Sequence, residues 1–267
     1  MKQYLSFLKI SIMKGIQYKI AAIAGIFTQF FFGLLFIMIF EAYYTYSTKT
    51  QPIALNQLIQ MVWLQQSFLV FIMLWHRDSE LYEMITSGNI AYELCRPTNL
   101  YHYWYSRLLG QRLAGALLRC IPIIILASLI PEPYTLHLPA DVTTLLLFII
   151  TLIGALLLIV ALSMLIYISI FYTLSPSGSF LMIAVVGEFF AGLTIPVPLM
   201  PKGLQTLCYI LPFRYTADLP FRIYSGNIST SDGIIGFGVQ LLWLTILLVS
   251  GQLWMKKAIS RVVVQGG

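Results

Sequence analysis

The three histidines of this 267-residue sequence are the side chains best suited to hold a metal, yet their spacing argues against a metal site. His76, His102 and His137 have no partner ligand at helical metal spacing. The serines form no nucleophile elbow and no Ser-His-Asp arrangement. No Gly-Lys dipeptide occurs, which excludes the Gly-x-x-x-x-Gly-Lys-Ser/Thr phosphate loop. We therefore expect no catalytic residue, no metal and no cofactor in this chain.

Two ionisable side chains fall inside long apolar stretches, where a charge is costly and usually has a functional or a pairing role. Glu188 lies about halfway along one stretch, and Arg119 lies inside another. Two hypotheses are open for Glu188. It lies on a transport pathway, or a neighbouring helix neutralises it, with Arg119 or a backbone group as the partner.

One apolar stretch also carries five amide side chains: Asn56, Gln57, Gln60, Gln65 and Gln66. So many amides are unusual for a lipid-facing helix, so we expect this helix to be buried among others. At 100° per residue the amides scatter around the helix, so they do not form a continuous polar wall. Interhelical hydrogen bonding and substrate contact are both open; for substrate contact, the candidates are Gln60, Gln66 and Glu188.

The composition shows which elements must position these residues. Hydrophobic residues make up 59% of the chain, charged residues make up 10%, and the mean hydropathy is +0.84. A bilayer core forces long apolar segments to close their backbone hydrogen bonds internally, as helices of about 20 residues. We predict an all-α polytopic membrane protein with a single transmembrane domain over 1–267. Its six spans are predicted near 20–40, 56–75, 112–130, 142–173, 180–195 and 233–255.

The basic residues predict the orientation, because Lys and Arg accumulate in cytoplasmic segments. With both termini inside, the cytoplasmic side holds Lys2, Lys9, Lys14, Lys19, Arg77, Arg96, Arg107, Arg112, Lys256, Lys257 and Arg261. The outer side then holds only Lys49, Lys202, Arg214 and Arg222. The net charge of +6 is spread along the chain without a basic run, so we expect no nucleic-acid partner.

Three segments do not span in this interpretation. Residues 1–19 place Leu5, Leu8, Ile12 and Ile16 on one arc, which predicts an interfacial helix on the cytoplasmic leaflet. The alternative is a plain cytoplasmic extension of the first span. Residues 194–230 are rich in proline and aromatic residues, and their apolar part is too short to cross. They predict an outer re-entrant helical hairpin before the last span.

The third segment is a cytoplasmic loop over 76–111, the longest polar stretch in the chain. Ser79 can cap a short helix whose first turns carry Glu80 and Glu83, and Gly88 with Asn89 can end it. Elsewhere, small residues at four-residue spacing permit close helix packing without naming the partner. These pairs are Gly110 with Ala114, and Gly187 with Ala191.

This arrangement resembles the permeases of ABC type-2 transporters, and within them the small permeases that lack a fused ATPase. The segment from Ile85 to Pro97, ITSGNIAYELCRP, is similar to the Ile-x-x-Gly and Leu-x-Arg-Pro pattern of that subfamily. The segments PVPLMP at 196–201, LPF at 211–213, DLP at 218–220 and YSG at 224–226 resemble its outer pattern.

The resemblance implies that the loop over 76–111 contains a coupling helix that docks on a separate ATP-hydrolysing subunit. The residues implied in this coupling are Glu80, Leu81, Tyr82, Glu83, Met84, Ile85 and Gly88, with Arg96 and Pro97 shaping the return. An ordinary loop helix packed on its own bundle is the alternative.

The resemblance further implies export through half of a translocation pathway, with two ATPase subunits, a second identical or similar permease and membrane lipid as partners. ATP and Mg²⁺ would be bound by the ATPase, and the site of action would be a bacterial cell (plasma) membrane. Other classes remain open. An ion-coupled secondary transporter would show paired intramembrane charges and an internal repeat. A membrane anchor or assembly protein would only recruit a soluble partner.

Overall fold

The computed structural model describes residues 2–17, 19–48, 50–75, 77–173 and 176–260. Within these ranges the chain is helical, without a β-strand. The helices are α1 Lys2–Ile16, α2 Lys19–Tyr46, α3 Leu55–Ser67, α4 Leu69–Ile72, α5 Ser79–Thr86, α6 Ile90–Leu94, α7 Leu100–Ser128, α8 Val142–Thr173, α9 Pro176–Phe190, α10 Lys202–Ile210, α11 Asp218–Tyr224 and α12 Thr230–Ile259. Two 3₁₀ turns lie at Val197–Leu199 and Phe213–Thr216. The all-α prediction is confirmed for these residues.

In the described part of the chain, four helices are long and apolar enough to cross a membrane: Ile20–Tyr46 of α2, and the whole of α7, α8 and α12. A helix rises 1.5 Å per residue, so each exceeds the roughly 30 Å of a bilayer core. They correspond to the first, third, fourth and sixth predicted windows. The chain is therefore a multi-pass membrane protein.

The second predicted window forms two helices instead of one continuous span. Helical geometry is interrupted at Phe68, whose φ and ψ are −106° and 18°. As the amides suggested, α3 is enclosed by other helices, with Leu58 through Leu64 buried. It packs against α2, α7 and α11.

The fifth window forms α9, which has 15 residues and ends before the prolines expected to stop it. The chain turns at Gly192, whose φ of 80° lies in the left-handed region that favours glycine. Gly192 N–H donates to Phe189 C=O, and Leu193 N–H donates to Glu188 C=O. This pair of bonds is a Schellman C-cap. Glu188 therefore lies near the C-terminal end of α9 and not at its middle.

The third window begins earlier than predicted, because α7 starts at Leu100. Asn99 caps it by accepting a hydrogen bond from His102 N–H. Residues 100–111, assigned to the cytoplasmic loop from the sequence, are helical and continuous with the span. The segment between α4 and α7 therefore ends at Asn99, and α5 and α6 account for much of it.

The central element of the bundle is α8. Its buried residues run from Leu147 to Ile170, and α7, α9, α11 and α12 all pack against it. A Cβ on Gly154 of α8 would lie 2.5 Å from Gln240 Oε1 of α12, so a larger residue there would displace the Gln240 side chain. Gln240 Nε2 donates to Thr151 C=O at 2.9 Å and to Tyr215 C=O at 2.8 Å. This amide ties the segment before α11 to both α8 and α12.

The N-terminal helix α1 packs along the first half of α7, and both run in the same direction. Tyr4 Oη accepts from Asn99 N–H at one end. Further along, a Cβ on Gly110 would lie 2.6 Å from Ser11 Cβ, and one on Gly15 would lie 2.5 Å from Ala114 Cβ. The Gly110–Ala114 pair thus allows the close approach predicted for it, and its partner is α1. The interfacial position of α1 stays a prediction.

Candidate functional site

The short helix α5 begins at a buried aspartate. Asp78 has extended backbone geometry, and its Oδ1 accepts hydrogen bonds from Glu80 N–H at 3.0 Å and Leu81 N–H at 3.1 Å. Such bonds satisfy two of the unpaired amides at a helix start. The prediction of Ser79 as the cap is therefore wrong by one residue, because Ser79 is already helical. The predicted stop is confirmed: Gly88 follows α5 with a φ of 77°.

The carboxylate of Asp78 also joins α5 to α7. Arg107 Nε donates to Oδ2 at 2.7 Å, and Arg107 Nη2 donates to Oδ1 at 2.9 Å. Gln111, one turn further along α7, donates to Oδ2 at 2.6 Å. The backbone N–H of Asp78 donates to Tyr167 Oη of α8 at 2.7 Å. One residue with a 3% exposed side chain thus fixes the start of α5 to two long helices.

Glu80 connects the same cluster to α1. Its carboxylate accepts from both Lys14 Nζ and Arg107 Nη2. These hydrogen bonds, the one from Lys14 first, hold the pKa of Glu80 below its ordinary value. Its side chain is 55% exposed, so solvent screens these ion pairs. A cavity of about 440 Å³ opens beside them, between α1, the start of α5 and α7.

The predicted coupling residues of α5 divide into two faces. Leu81 and Ile85 are buried against the bundle. Tyr82 and Met84 are half-buried, and the guanidinium of Arg77 lies 3.6 Å from the ring centroid of Tyr82. Glu80, Glu83 and Gly88 are exposed. The outward face of α5 is therefore polar and acidic.

A second short helix, α6, extends this surface. Ile90 and Glu93 are buried, whereas Tyr92 is 76% exposed. Arg96 and Pro97, predicted to shape the return, are also exposed, and Arg96 pairs with Glu93 at 3.3 Å. The exposed residues of α5 and α6 together form one outward surface, which we call the α5–α6 face.

Arg112 was counted among the cytoplasmic basic residues, but it lies fully buried inside the bundle. Its Nη1 donates to the carbonyls of Val70, Phe71 and Met73, at 3.2, 3.2 and 2.8 Å. Its Nη2 donates to Ser163 Oγ at 2.9 Å. The guanidinium thus satisfies carbonyls that the end of α4 leaves unpaired, which holds α4 against α7 and α8.

Among the described residues, no hydrogen bond joins the three predicted pathway residues to one another. Gln60 is buried and holds the loop between α7 and α8: its Nε2 donates to Thr135 C=O, and its Oε1 accepts from His137 N–H. Gln66 is buried in α3. Glu188 is half-buried, and its Oε1 has no hydrogen-bond partner among the described residues. The contacts of Gln60 match the hydrogen-bonding interpretation of the amides.

Glu188 is not neutralised by Arg119 in the part of the chain that the structure describes, since no ion pair joins them there. The neighbouring Gly187 packs on Leu74 and Phe213 instead, and a Cβ at this glycine would clash with Leu74 Cδ1. The Gly187–Ala191 pair therefore permits close packing around Gly187. Its neighbours there are Leu74, just after α4, and Phe213, which begins the second 3₁₀ turn.

A comparison with protein families matches residues 58–266 to the model described as ABC-2 family transporter protein. This match covers more than half of the chain. The chain belongs to the ABC-2 transporter family. The comparisons with curated proteins and with solved structures give no match. The family predicted from the sequence is confirmed, and its members serve as membrane permeases of ABC transporters.

On the opposite side of this permease, a buried ion cluster holds the segment before α12. Asp218 Oδ2 lies 3.2 Å from Arg214 Nη2 and 3.6 Å from Arg222 Nη1. The Arg214 guanidinium lies 3.7 Å from the Tyr209 ring centroid. Arg214 was counted as an outer surface charge, but its side chain is only 5% exposed. The cluster fixes α10 and α11 to each other.

Sequence reasoning missed the residues that anchor α5 in the permease. Arg107 and Gln111 are four residues apart, so they share one face of α7. The sequence could have indicated this shared polar face only if α7 had been predicted to begin near Leu100. Asp78 precedes Ser79, and both are good capping types. Nothing in the sequence points to the Tyr167 hydroxyl, because it lies in an apolar stretch of α8.

Proposed function

We propose that this chain is the transmembrane subunit of an ATP-driven exporter. It forms half of a translocation pathway with a second identical or similar permease. Two separate ATPase subunits complete the transporter, and one of them binds at the α5–α6 face of this chain. The observation that carries the proposal is the connection of an exposed pair of short helices to the long helices of the bundle. Asp78 makes that connection through Arg107 of α7 and Tyr167 of α8.

The buried connection makes α5 suitable for transmitting movement. A loop attached by exposed contacts alone would bend when a partner pushed it. Here a charge-assisted, bidentate pair joins Asp78 to Arg107, and such bonds are short and directional. Closure of the ATPase dimer would displace α5 together with α7 and α8, and so shift the bundle between inward-facing and outward-facing states.

The outer segment over 194–230 fits a re-entrant lid in this proposal. Tyr215 C=O contacts Gln240, which lies ten residues after the start of α12. At 1.5 Å per residue, Tyr215 meets α12 about 15 Å from that end. Because α12 is about 45 Å long, this level falls within a bilayer core of roughly 30 Å centred on the helix, about 8 Å from the edge of the core. A chain that enters to this depth needs internal partners for its backbone, and Gln240 supplies one. With α3–α4 and α9 as the remaining crossings, six spans leave both termini in the cytoplasm.

Affinity purification from native membranes tests the ATPase partner. The tagged permease should recover an ATP-hydrolysing protein in stoichiometric amount. Replacing Glu83 with Arg and Tyr92 with Asp should lower that recovery by more than about tenfold, as expected when interface anchors are lost. Leu138→Asp is the matched control, because Leu138 is 86% exposed and lies in the loop between α7 and α8.

Two results would contradict this function. In one, the Glu83 and Tyr92 replacements leave the recovered ATPase unchanged while both variants insert normally. In the other, the purified permease moves substrate across vesicles without ATP. The second result would favour an ion-coupled secondary transporter.

A further inference from the structure

Arg119 is a half-buried cation of α7 that has no ion-pair partner among the residues the structure describes. It lies on α7 and extends across α2, where its guanidinium occupies the space a side chain at Gly25 would need. A Cβ on Gly25 would lie 2.6 Å from Arg119 Cζ and 2.7 Å from Nη1. The side chain is half-buried, and its Nε is enclosed without a hydrogen-bond partner among the described residues. Glycine thus leaves a recess on α2 that the guanidinium occupies.

The depth of Arg119 excludes simple solvation by bulk water. It lies nine residues before the end of α7 at Ser128, or about 14 Å at 1.5 Å per residue. It lies twelve residues beyond Arg107, or about 18 Å. Both distances place it well within a hydrocarbon layer about 30 Å thick. Intramembrane arginines normally face a protein interior or a water-filled cavity and have a partner.

Gln29 adds an independent polar group to the same junction. It follows Gly25 by one helical turn, so both share the face of α2 directed at α7. Gln29 is only 4% exposed, and neither Nε2 nor Oε1 has a hydrogen-bond partner in the described part of the chain. Buried amides are normally satisfied. The Arg119 guanidinium at Gly25 and the Gln29 amide therefore lie one helical turn apart along the same face of α2, and the described residues give neither a partner.

The chain itself has few acids that could neutralise Arg119. Of its ten Asp and Glu residues, Glu188 lies on the apolar helix α9, and the described ion pairs do not join it to Arg119. Asp218 is held by two other arginines. On the same face of α7, two turns beyond Arg119, Leu126 is 37% exposed. An anion that reaches Arg119 along this surface must carry an apolar part.

We propose that Arg119 and Gln29 form a membrane-embedded binding site for the phosphate or carboxylate of an anionic amphiphile. Lipid of the surrounding bilayer and acidic lipid-like cargo share this chemistry. The guanidinium donates to the acid group in a bidentate arrangement, and the acyl chain lies along the apolar side chains of α7. As cargo, the amphiphile would define the substrate class of the proposed exporter, and that part rests on the proposed function.

Lipid binding to the permease alone tests the site without any ATPase. The full chain is reconstituted in nanodiscs of phosphatidylcholine containing spin-labelled phosphatidylglycerol, and retained lipid is compared with spin-labelled phosphatidylcholine. Wild type should prefer phosphatidylglycerol, and Arg119→Gln should lose that preference by about tenfold or more. Arg119→Lys should keep part of it. Lys257→Gln, which removes a surface cation, should leave it unchanged.

Three results would overturn the site: equal retention of both lipids by wild type, an unchanged preference in Arg119→Gln, or loss of self-association in both Arg119→Gln and Glu188→Gln with lipid preference intact in both. The last would show an ion pair between two copies of the chain. A second arm adds the ATPase and follows labelled phosphatidylglycerol between leaflets. ATP-dependent movement that needs Arg119 identifies cargo, whereas binding without movement identifies resident lipid; either result supports the site.

Discussion

Replacing Asp78 with alanine should loosen α5 without unfolding the bundle. The substitution removes the N-cap of α5, which costs about 1 kcal/mol. It also leaves Arg107 without its buried partner, which costs about 3–5 kcal/mol. Because Arg107 keeps its ion pair with Glu80, we use the lower limit of about 3 kcal/mol for the lost partner. Together with the lost cap, the expected cost is about 4 kcal/mol. The open population of α5 should therefore rise about 10³-fold.

Asp78→Asn separates the two contributions. The amide oxygen can still accept from Glu80 N–H and Leu81 N–H, so the cap is kept. The amide nitrogen that takes the place of Oδ2 cannot accept from Arg107 Nε, so a hydrogen bond from a charged group is lost at a cost of about 1.5–3 kcal/mol. Local opening should then rise about 10- to 150-fold, less than in Asp78→Ala.

Hydrogen exchange of the permease in nanodiscs, read by mass spectrometry for peptides covering α5 and α12, measures both effects. Protection should fall in α5 and stay unchanged in α12. Asp141→Ala is the matched control, because Asp141 caps α8 by accepting from Thr144 N–H at 2.7 Å while its own side chain is exposed. It should affect only the first turn of α8. The reasoning is refuted when Asp78→Ala changes α5 exchange by less than about twofold, or when α12 loses protection equally.

Three further outcomes follow from the contacts. Gly110→Leu should push α1 away from α7, seen as a longer spin-label distance between them, whereas Gly203→Leu should change nothing because no atom lies within 4 Å of its Cβ position. Gln240→Leu leaves two buried carbonyls without their donor and should lower stability by about 1–3 kcal/mol in thermal unfolding; an unchanged midpoint would contradict this. The folded-state pKa of Glu80 is lowered from 4.5, so its ion pairs with Lys14 and Arg107 stabilise the fold above pH 4.5 and are lost as pH falls through the lowered pKa. The α1–α5 spin-label distance should lengthen in that acidic range, and Glu80→Gln should remove the pH dependence.

The long spans could be predicted from composition because the requirement is local. About 20 apolar residues must close their own hydrogen bonds in a bilayer, and the stretches forming α2, α8 and α12 meet that requirement alone. The shorter elements depend on tertiary contacts. The Gln65 side chain of α3 donates to Leu193 C=O, just beyond the C-cap of α9. The sequence does not show that these two segments meet, so it could not place their ends.

The sequence located the segment that forms the candidate site, but it did not show which side chains join that segment to the bundle. The capping pattern and Gly88 located a short helix, and the Gly110–Ala114 spacing indicated a close helix contact. The partners of these features are separated widely in sequence: Asp78 meets Tyr167, 89 residues away. The direction of Arg119 toward Gly25, and not toward Glu188, likewise follows from packing between α2 and α7.

Photo-crosslinking in native membranes tests the proposed ATPase contact at the α5–α6 face. A photoreactive amino acid replaces Tyr92, and in a matched chain it replaces Leu138, since both positions are highly exposed and lie in different segments between the long helices. Irradiation should link the Tyr92 position to an ATP-hydrolysing subunit, in a yield that changes between nucleotide-free and ATP-bound conditions. The Leu138 position should give no such product. Equal linkage at the two positions, or none at Tyr92 in active membranes, would contradict docking of the ATPase on α5 and α6.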